Sequence, residues 1–133
     1  MKVLVTDEVA EEALNVLRQK HEVVFKELRG EELANEIKDY HALMVRSATK
    51  VTKDIIEKAE NLKVIGRAGI GVDNIDVKAA SEKGIYVVNS PTGTTRSVAE
   101  LTFALMFALA RKIHIADKTM KQGEWAKKKL KGI

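Results

Sequence analysis

The sequence predicts an α/β domain: a five-stranded parallel sheet with helices on both faces. Three observations carry that reading. Short apolar runs recur at 2–6, 22–25, 42–45, 63–65 and 85–88. They lack the polar alternation of a half-exposed strand, as expected for strands buried on both faces. A stretch with helical spacing follows every run, which is the rhythm of repeated βα units.

The elements follow in order. Residues 2–6 form a β-branched strand, and Asp7 is placed to cap the next helix, with Ala10, Leu14 and Leu17 at helical spacing. A strand at 22–25 precedes a short helix at 31–38, where Leu33 and Ile37 lie four apart. The third strand is 42–45, and Thr52 is placed to cap a helix at 53–59 that turns Ile55, Ile56 and Ala59 inward. The fourth strand, 63–65, leads to a helix at 76–83 ended by Gly84, a left-handed C-cap. After the fifth strand, Ser97 and Glu100 read as a capping box opening one long helix to about 121. Right-handed crossovers and five strands suit the flavodoxin-like order 2-1-3-4-5.

Composition narrows the function. The chain has 133 residues, of which 45% are hydrophobic and 32% charged, enough for one packed core. It has no cysteine, which excludes disulfides, thiolate catalysis and zinc–thiolate sites. The run Val3-Leu4-Val5 is too short for a secretion signal and gives way at once to Asp7 and Glu8. The longest apolar stretch, 98–110, is broken by Glu100 and Thr102 and is shorter than a membrane span. A cytoplasmic protein without membrane contact is expected. The net charge of +4 gathers at Lys127, Lys128, Lys129 and Lys131. No aromatic residues interleave those lysines, so they read as a solvated connector rather than a nucleic-acid surface.

In open parallel sheets ligands bind beyond the carboxyl ends of the strands. Asp7, Arg46-Ser47, Arg67-Ala68-Gly69 and Asn89-Ser90-Pro91 all fall there. The glycines of Gly66–Gly71 let the backbone approach a ligand, and arginine offers a fixed fork to a carboxylate or phosphate. Such a turn also needs glycine for its own geometry, and both roles are compatible. Asp73 and Asn74 read as cap and turn residues. Thr94, Thr95 and Arg96 open the last helix, either as an anion site or as ordinary capping. His21, His41 and His114 have no metal-spaced partners, so no metal site is expected. The last helix carries Val98, Leu101, Phe103, Leu105, Met106, Phe107 and Leu109 in nearly every direction. A helix apolar all round must pack against a second chain or a further domain.

Several segments together resemble the NAD-dependent D-2-hydroxyacid dehydrogenases. They are Met44–Thr52, Val64–Asp76, Val88–Thr95, Ser97–Leu101 and Met120–Trp125, in that family's order along almost the whole chain. The resemblance implies a substrate-binding domain at 1–96, the helix 97–122 that begins the nucleotide-binding domain, and a tail at 123–133. In that family the substrate domain is discontinuous, and the chain returns after the nucleotide domain to supply a final helix. The similarity ends before the GxGxxG dinucleotide fingerprint. The loop Gly66–Gly71 has the spacing GxxGxG instead and is not that fingerprint.

The resemblance also implies roles. Arg46 and Ser47, aided by Arg67, would face the phosphate of a small phosphorylated 2-hydroxy acid. The N–H groups of Gly69 and Ile70 would hold its carboxylate. Ile70 replaces a threonine of some relatives, so its contact with NAD in a full enzyme would be through the backbone alone. Asn89-Ser90-Pro91 resembles a hinge, and Trp125 and Lys127 a segment that reaches a partner's site. The family's catalytic arginine, glutamate and histidine lie downstream, so no catalytic residue is assigned. A truncated substrate-binding portion is expected, binding no NAD and inactive alone. It is expected to form a homodimer through the 97–121 helix, swapped or unswapped. The alternative is a non-catalytic phosphate-binding or regulatory module. A receiver-like signalling domain would need aspartate after the third strand, where Arg46 stands.

Overall fold

The computed structural model describes all residues, 1–133. They form two compact units, Met1–Gly93 and Thr94–Ile133.

The first unit holds strands β1 (Lys2–Val5), β2 (Glu22–Phe25), β3 (Ala42–Val45), β4 (Val64–Arg67) and β5 (Tyr86–Asn89). All pair in parallel in the order β2-β1-β3-β4-β5, as expected. The helices are α1 (Glu11–Arg18), α2 (Gly30–Glu36), α3 (Lys53–Lys58) and α4 (Val77–Glu82), with a 3-10 turn at Ile37–Asp39.

Register assigns the side chains to faces, because successive residues of a strand point to opposite sides. Leu4, Leu43 and Ile65 align in one row and meet Leu33, Ile37, Ile55, Ile56, Ala79 and Ala80 from α2, α3 and α4. Val3, Val5, Ala42, Met44 and Val64 look the other way, where Leu14 of α1 supplies the cover. On that side β4 and β5 have little cover: Val88 is 52% and Tyr86 76% exposed. An apolar groove of about 620 Å³ runs along this side, from Met1 and His21 to Arg67 and Ser90.

Several local readings need correction. Asp7 does not cap α1; Ala10 takes that position with no side-chain hydrogen bond, and acidic Glu11 and Glu12 supply the favourable charge for the first turn. Thr52 stands at the N-cap of α3 but makes no capping bond. The cap of α4 is Asp76, which accepts from Ala79 N at 2.9 Å, while Asp73 caps nothing. Gly84 adopts φ +73° after α4, as its placement predicted.

The second unit holds α5 (Thr95–Ala110), α6 (Ile113–Lys121) and a short 3-10 turn at Lys127–Lys129. The single long helix is thus two. Arg111 and Lys112 interrupt it, and Lys112 is the chain's non-glycine residue with positive φ, at 52°. The capping box also fails. Thr94 takes the N-cap position, Ser97 lies inside the first turn, and Glu100 pairs with Arg96 one turn away at 2.8 Å. No residue of α5 is buried, although Leu101, Phe103, Leu105, Met106, Phe107 and Leu109 are all apolar. No helix is long and apolar enough to cross a membrane.

Candidate functional site

The carboxyl edge of the sheet gathers three turns. The first begins with Asp7, directly beyond β1 and only 4% exposed. A buried carboxylate must be satisfied by donors or it destabilises the fold. Its Oδ1 accepts from Arg29 Nη2 at 2.6 Å and from Thr49 Oγ1 at 2.9 Å. Its Oδ2 accepts from the backbone N–H of Arg46 at 2.5 Å and of Thr49 at 3.2 Å. Thr49, having given its proton to Asp7, accepts from Thr6 Oγ1 at 2.9 Å. Arg29 supplies the opposite charge and also donates to the Thr6 carbonyl at 2.7 Å.

Asn74 holds the same turn from the other side. Its Nδ2 donates to the Arg46 carbonyl at 2.7 Å and to the Thr49 carbonyl at 2.6 Å. Both ends of the Arg46–Thr49 turn are therefore tied through N–H and C=O alike. The two residues between, Ser47 and Ala48, are exposed, and their N–H groups have no acceptor in the chain. Arg46 donates to the Glu8 carbonyl at 3.0 Å.

The second turn leaves β4. Ala68 N donates back to Val45 O at 2.9 Å, which fixes this turn beside the first. Gly69 N donates to Arg67 O at 2.9 Å. The Gly69 N–H expected to meet a carboxylate is thus engaged within the turn, whereas that of Ile70 has no acceptor in the chain. Glycine has a second use at position 69. A Cβ there would lie 2.8 Å from Arg67 Cζ, so its absence is what lets the guanidinium fold across the loop. Arg67 Nε is buried without a partner, as is Asn74 Oδ1. Arg46, Arg67 and Arg111 form no ion pair, whereas Arg18, Arg29 and Arg96 do.

The third turn follows β5. Ser90 N donates to Gly69 O at 2.9 Å and Asn89 Nδ2 to Ile70 O at 2.5 Å. The glycine loop is thereby tied to the segment Asn89-Ser90-Pro91. This edge presents two guanidinium groups without acidic partners, a hydroxyl and unsatisfied backbone donors, groups of the kind that can bind an anion.

The other expected residues lie elsewhere. Thr94 and Thr95 make no side-chain cap, and Arg96 is occupied by Glu100. Trp125 is 74% exposed, and Lys127 belongs to the Lys127–Lys129 turn. His41 Nδ1 accepts from Lys2 N at 3.1 Å, a structural use. No three His, Asp or Glu gather as a metal site. The loop Gly66–Gly71 does not fit a dinucleotide pyrophosphate, because no helix opens at it: α4 begins only at Val77. The tie between Asp7 and Arg46 was not readable locally, since 39 residues separate the two. Nothing in the sequence marked Asn74 as the donor to the Arg46 and Thr49 carbonyls.

A five-stranded parallel sheet with interleaved helices defines an α/β domain. The profile of the D-isomer specific 2-hydroxyacid dehydrogenase catalytic domain matches residues 3–127, and the chain belongs to that family. The chain is 58% identical to a D-3-phosphoglycerate dehydrogenase of Methanocaldococcus jannaschii, over the whole chain and 26% of that protein. It is 51% identical to a hydroxypyruvate reductase of Thermotoga maritima, over 98% of the chain and 44% of that protein. Among solved structures it is similar to the NAD+-bound 3-phosphoglycerate dehydrogenase of Entamoeba histolytica. There the TM-score is 0.72 with 36% identity, over 84% of this chain and 40% of that one. The chain thus spans between about a quarter and under half the length of these relatives.

Proposed function

We propose that this chain is the substrate-binding portion of a D-3-phosphoglycerate dehydrogenase, an NAD-dependent oxidoreductase acting on a small phosphorylated 2-hydroxy acid. The supporting observation is the carboxyl edge, where Arg46 and Arg67 stand without acidic partners beside turns with free N–H groups. Arg46, Ser47 and Arg67 would take the phosphate, and the Ile70 N–H the carboxylate. Gly69 contributes the space that Arg67 occupies. NAD would add the hydride acceptor in the full enzyme. The Gly66–Gly71 loop does not fit its pyrophosphate, since no helix opens at that loop.

Residues from 97 onward would belong to the nucleotide-binding domain, and α5 would form a homodimer interface, swapped or unswapped. Its unburied apolar surface is what supports that reading. A returning helix of the kind the family carries downstream would cover the open side of β4 and β5. The isolated chain would have no dehydrogenase activity, because the catalytic arginine, glutamate and histidine of the family match none of its residues.

The test is titration of 3-phosphoglycerate into the chain, followed by amide NMR, with the mass in solution measured on the same sample. Shifts at Ser47, Ala48 and Ile70 that vanish in Arg67→Ala, in a dimer, are expected. Absent shifts overturn the substrate reading, and a monomer overturns the interface. NADH formation above background with 3-phosphoglycerate and NAD, abolished by Arg67→Ala, would contradict the expected inactivity.

A further inference from the structure

We infer that Asp7 and Asn74 are positioning residues for the anion site, acting as a two-sided clasp that shapes the Arg46–Thr49 turn into a preformed phosphate receptor. This rests on the substrate reading above and specifies how its first turn works. Four backbone atoms are held: the N–H groups of Arg46 and Thr49 by the Asp7 carboxylate, and their carbonyls by the single Asn74 Nδ2. Asp7 is itself locked by Arg29 and by the Thr49 hydroxyl. With both ends fixed, Ser47 and Ala48 keep two N–H groups that nothing else in the chain uses. A receptor whose donors are held in place before the ligand arrives loses less entropy on binding than one that must order its turn.

The division of labour has a chemical logic. Asp7 is negative, and a bare carboxylate facing a phosphate would repel it. Here it faces away from solvent, 4% exposed, with Arg29 as its counter-charge. Its acceptors draw the outer N–H groups of the turn inward and leave the inner two for the ligand. Asn74 adds no charge, so it can grip the carbonyls close to an anion without electrostatic cost. The same residue ties together two of the three edge turns, since it follows the glycine loop that carries Arg67.

The clasp is tested by 3-phosphoglycerate affinity in Asn74→Ala, compared with Asn61→Ala. Asn61 also donates its amide to a backbone carbonyl, that of Lys38 at 2.8 Å, but away from the edge. Asn74→Ala should weaken binding by about tenfold, the upper end of what one net hydrogen bond contributes. Asn61→Ala should leave affinity unchanged, whatever it does to the melting temperature. A Ser47 and Ala48 shift pattern altered only in Asn74→Ala is the accompanying signature. If Asn74→Ala binds as tightly as the wild type, or Asn61→Ala weakens binding equally, the inference is wrong. If the wild type itself gives no shifts, the substrate reading fails first, and the clasp has no ligand to position. Asp7→Asn, which keeps one acceptor, should fall between the wild type and Asn74→Ala. An Asp7→Asn protein that folds and binds like the wild type also counts against the clasp.

Discussion

The two sides of the sheet come from the same five strands and are covered very differently. The side that meets α2, α3 and α4 belongs to a cluster of seventeen buried residues, whereas the side that meets α1 holds four. The strand residues themselves do not explain this. Val3, Val5, Met44, Val64 and Val88 on one side are as apolar as Leu4, Leu43, Val45, Ile65 and Val87 on the other. The difference lies in the number of helices, three against one. Alternating side chains make each face a separate claim on cover, and the claim over β4 and β5 is not met within Met1–Gly93. The carboxyl edge belongs to neither face. It is held by polar bonds across turns rather than by apolar burial.

The largest effects should therefore come from the covered side. Ile65→Ala should lower the unfolding free energy by about 2–5 kcal/mol in urea denaturation. Val88→Ala, on the open side of the same sheet, should change it by less than about 0.5 kcal/mol. Equal losses would break the comparison. At the edge, Asp7→Ala strands two backbone donors and leaves Arg29 without its counter-charge. A loss of roughly 2–3 kcal/mol is expected, reduced from the value for a fully buried pair because Arg29 is partly solvated.

Gly69→Ala should separate stability from binding. Its φ is not in the left-handed region, so the backbone tolerates alanine, and the flexible Arg67 side chain can move aside. A stability change within about 1 kcal/mol is expected. The affinity for 3-phosphoglycerate should fall roughly tenfold as Arg67 is displaced, a change of about 1.4 kcal/mol in binding.

The smallest effect concerns pH. Hydrogen bonding to the Lys26 ammonium, and then to Tyr40, holds the Glu36 carboxyl below its usual value. Burial, then the Glu36 hydrogen bond, pushes the Tyr40 phenol above its usual value. The Glu36 contribution is present above the unfolded carboxylate pKa and is lost as pH falls through the lowered value. The Tyr40 contribution is present below the unfolded phenol pKa and is lost as pH rises through the raised one. Urea midpoints against pH should lose part of their acid limb in Glu36→Gln and of their alkaline limb in Tyr40→Phe.

Much of the architecture was legible because it depends on local repetition. Five apolar runs and their spacing gave strands within a residue or two of those observed, and Gly84 marked its turn. The misreadings have separate causes. Asp7 after a strand looks like a cap when only its neighbours are considered, yet its partners are 22 to 42 residues away. Glu100 matches a capping box only if the helix starts at Ser97; it starts earlier, at Thr95, and Arg96 takes the carboxylate. The break at Lys112 carries no glycine or proline to announce it. The position of Arg46 and Arg67 at the carboxyl edge was legible, whereas the hydrogen bonds of Asp7 and Asn74 to the Arg46–Thr49 turn are long-range and were not.

The most direct measurement is the structure of the chain co-crystallised with 3-phosphoglycerate. The phosphate should lie against the Arg46–Thr49 turn, within hydrogen-bonding distance of the Ser47 and Ala48 N–H groups, with Arg67 turned onto the ligand and the carboxylate at Ile70. A ligand seated in the apolar groove beside Val64 and Val88, with the Arg46–Thr49 turn empty, would contradict it.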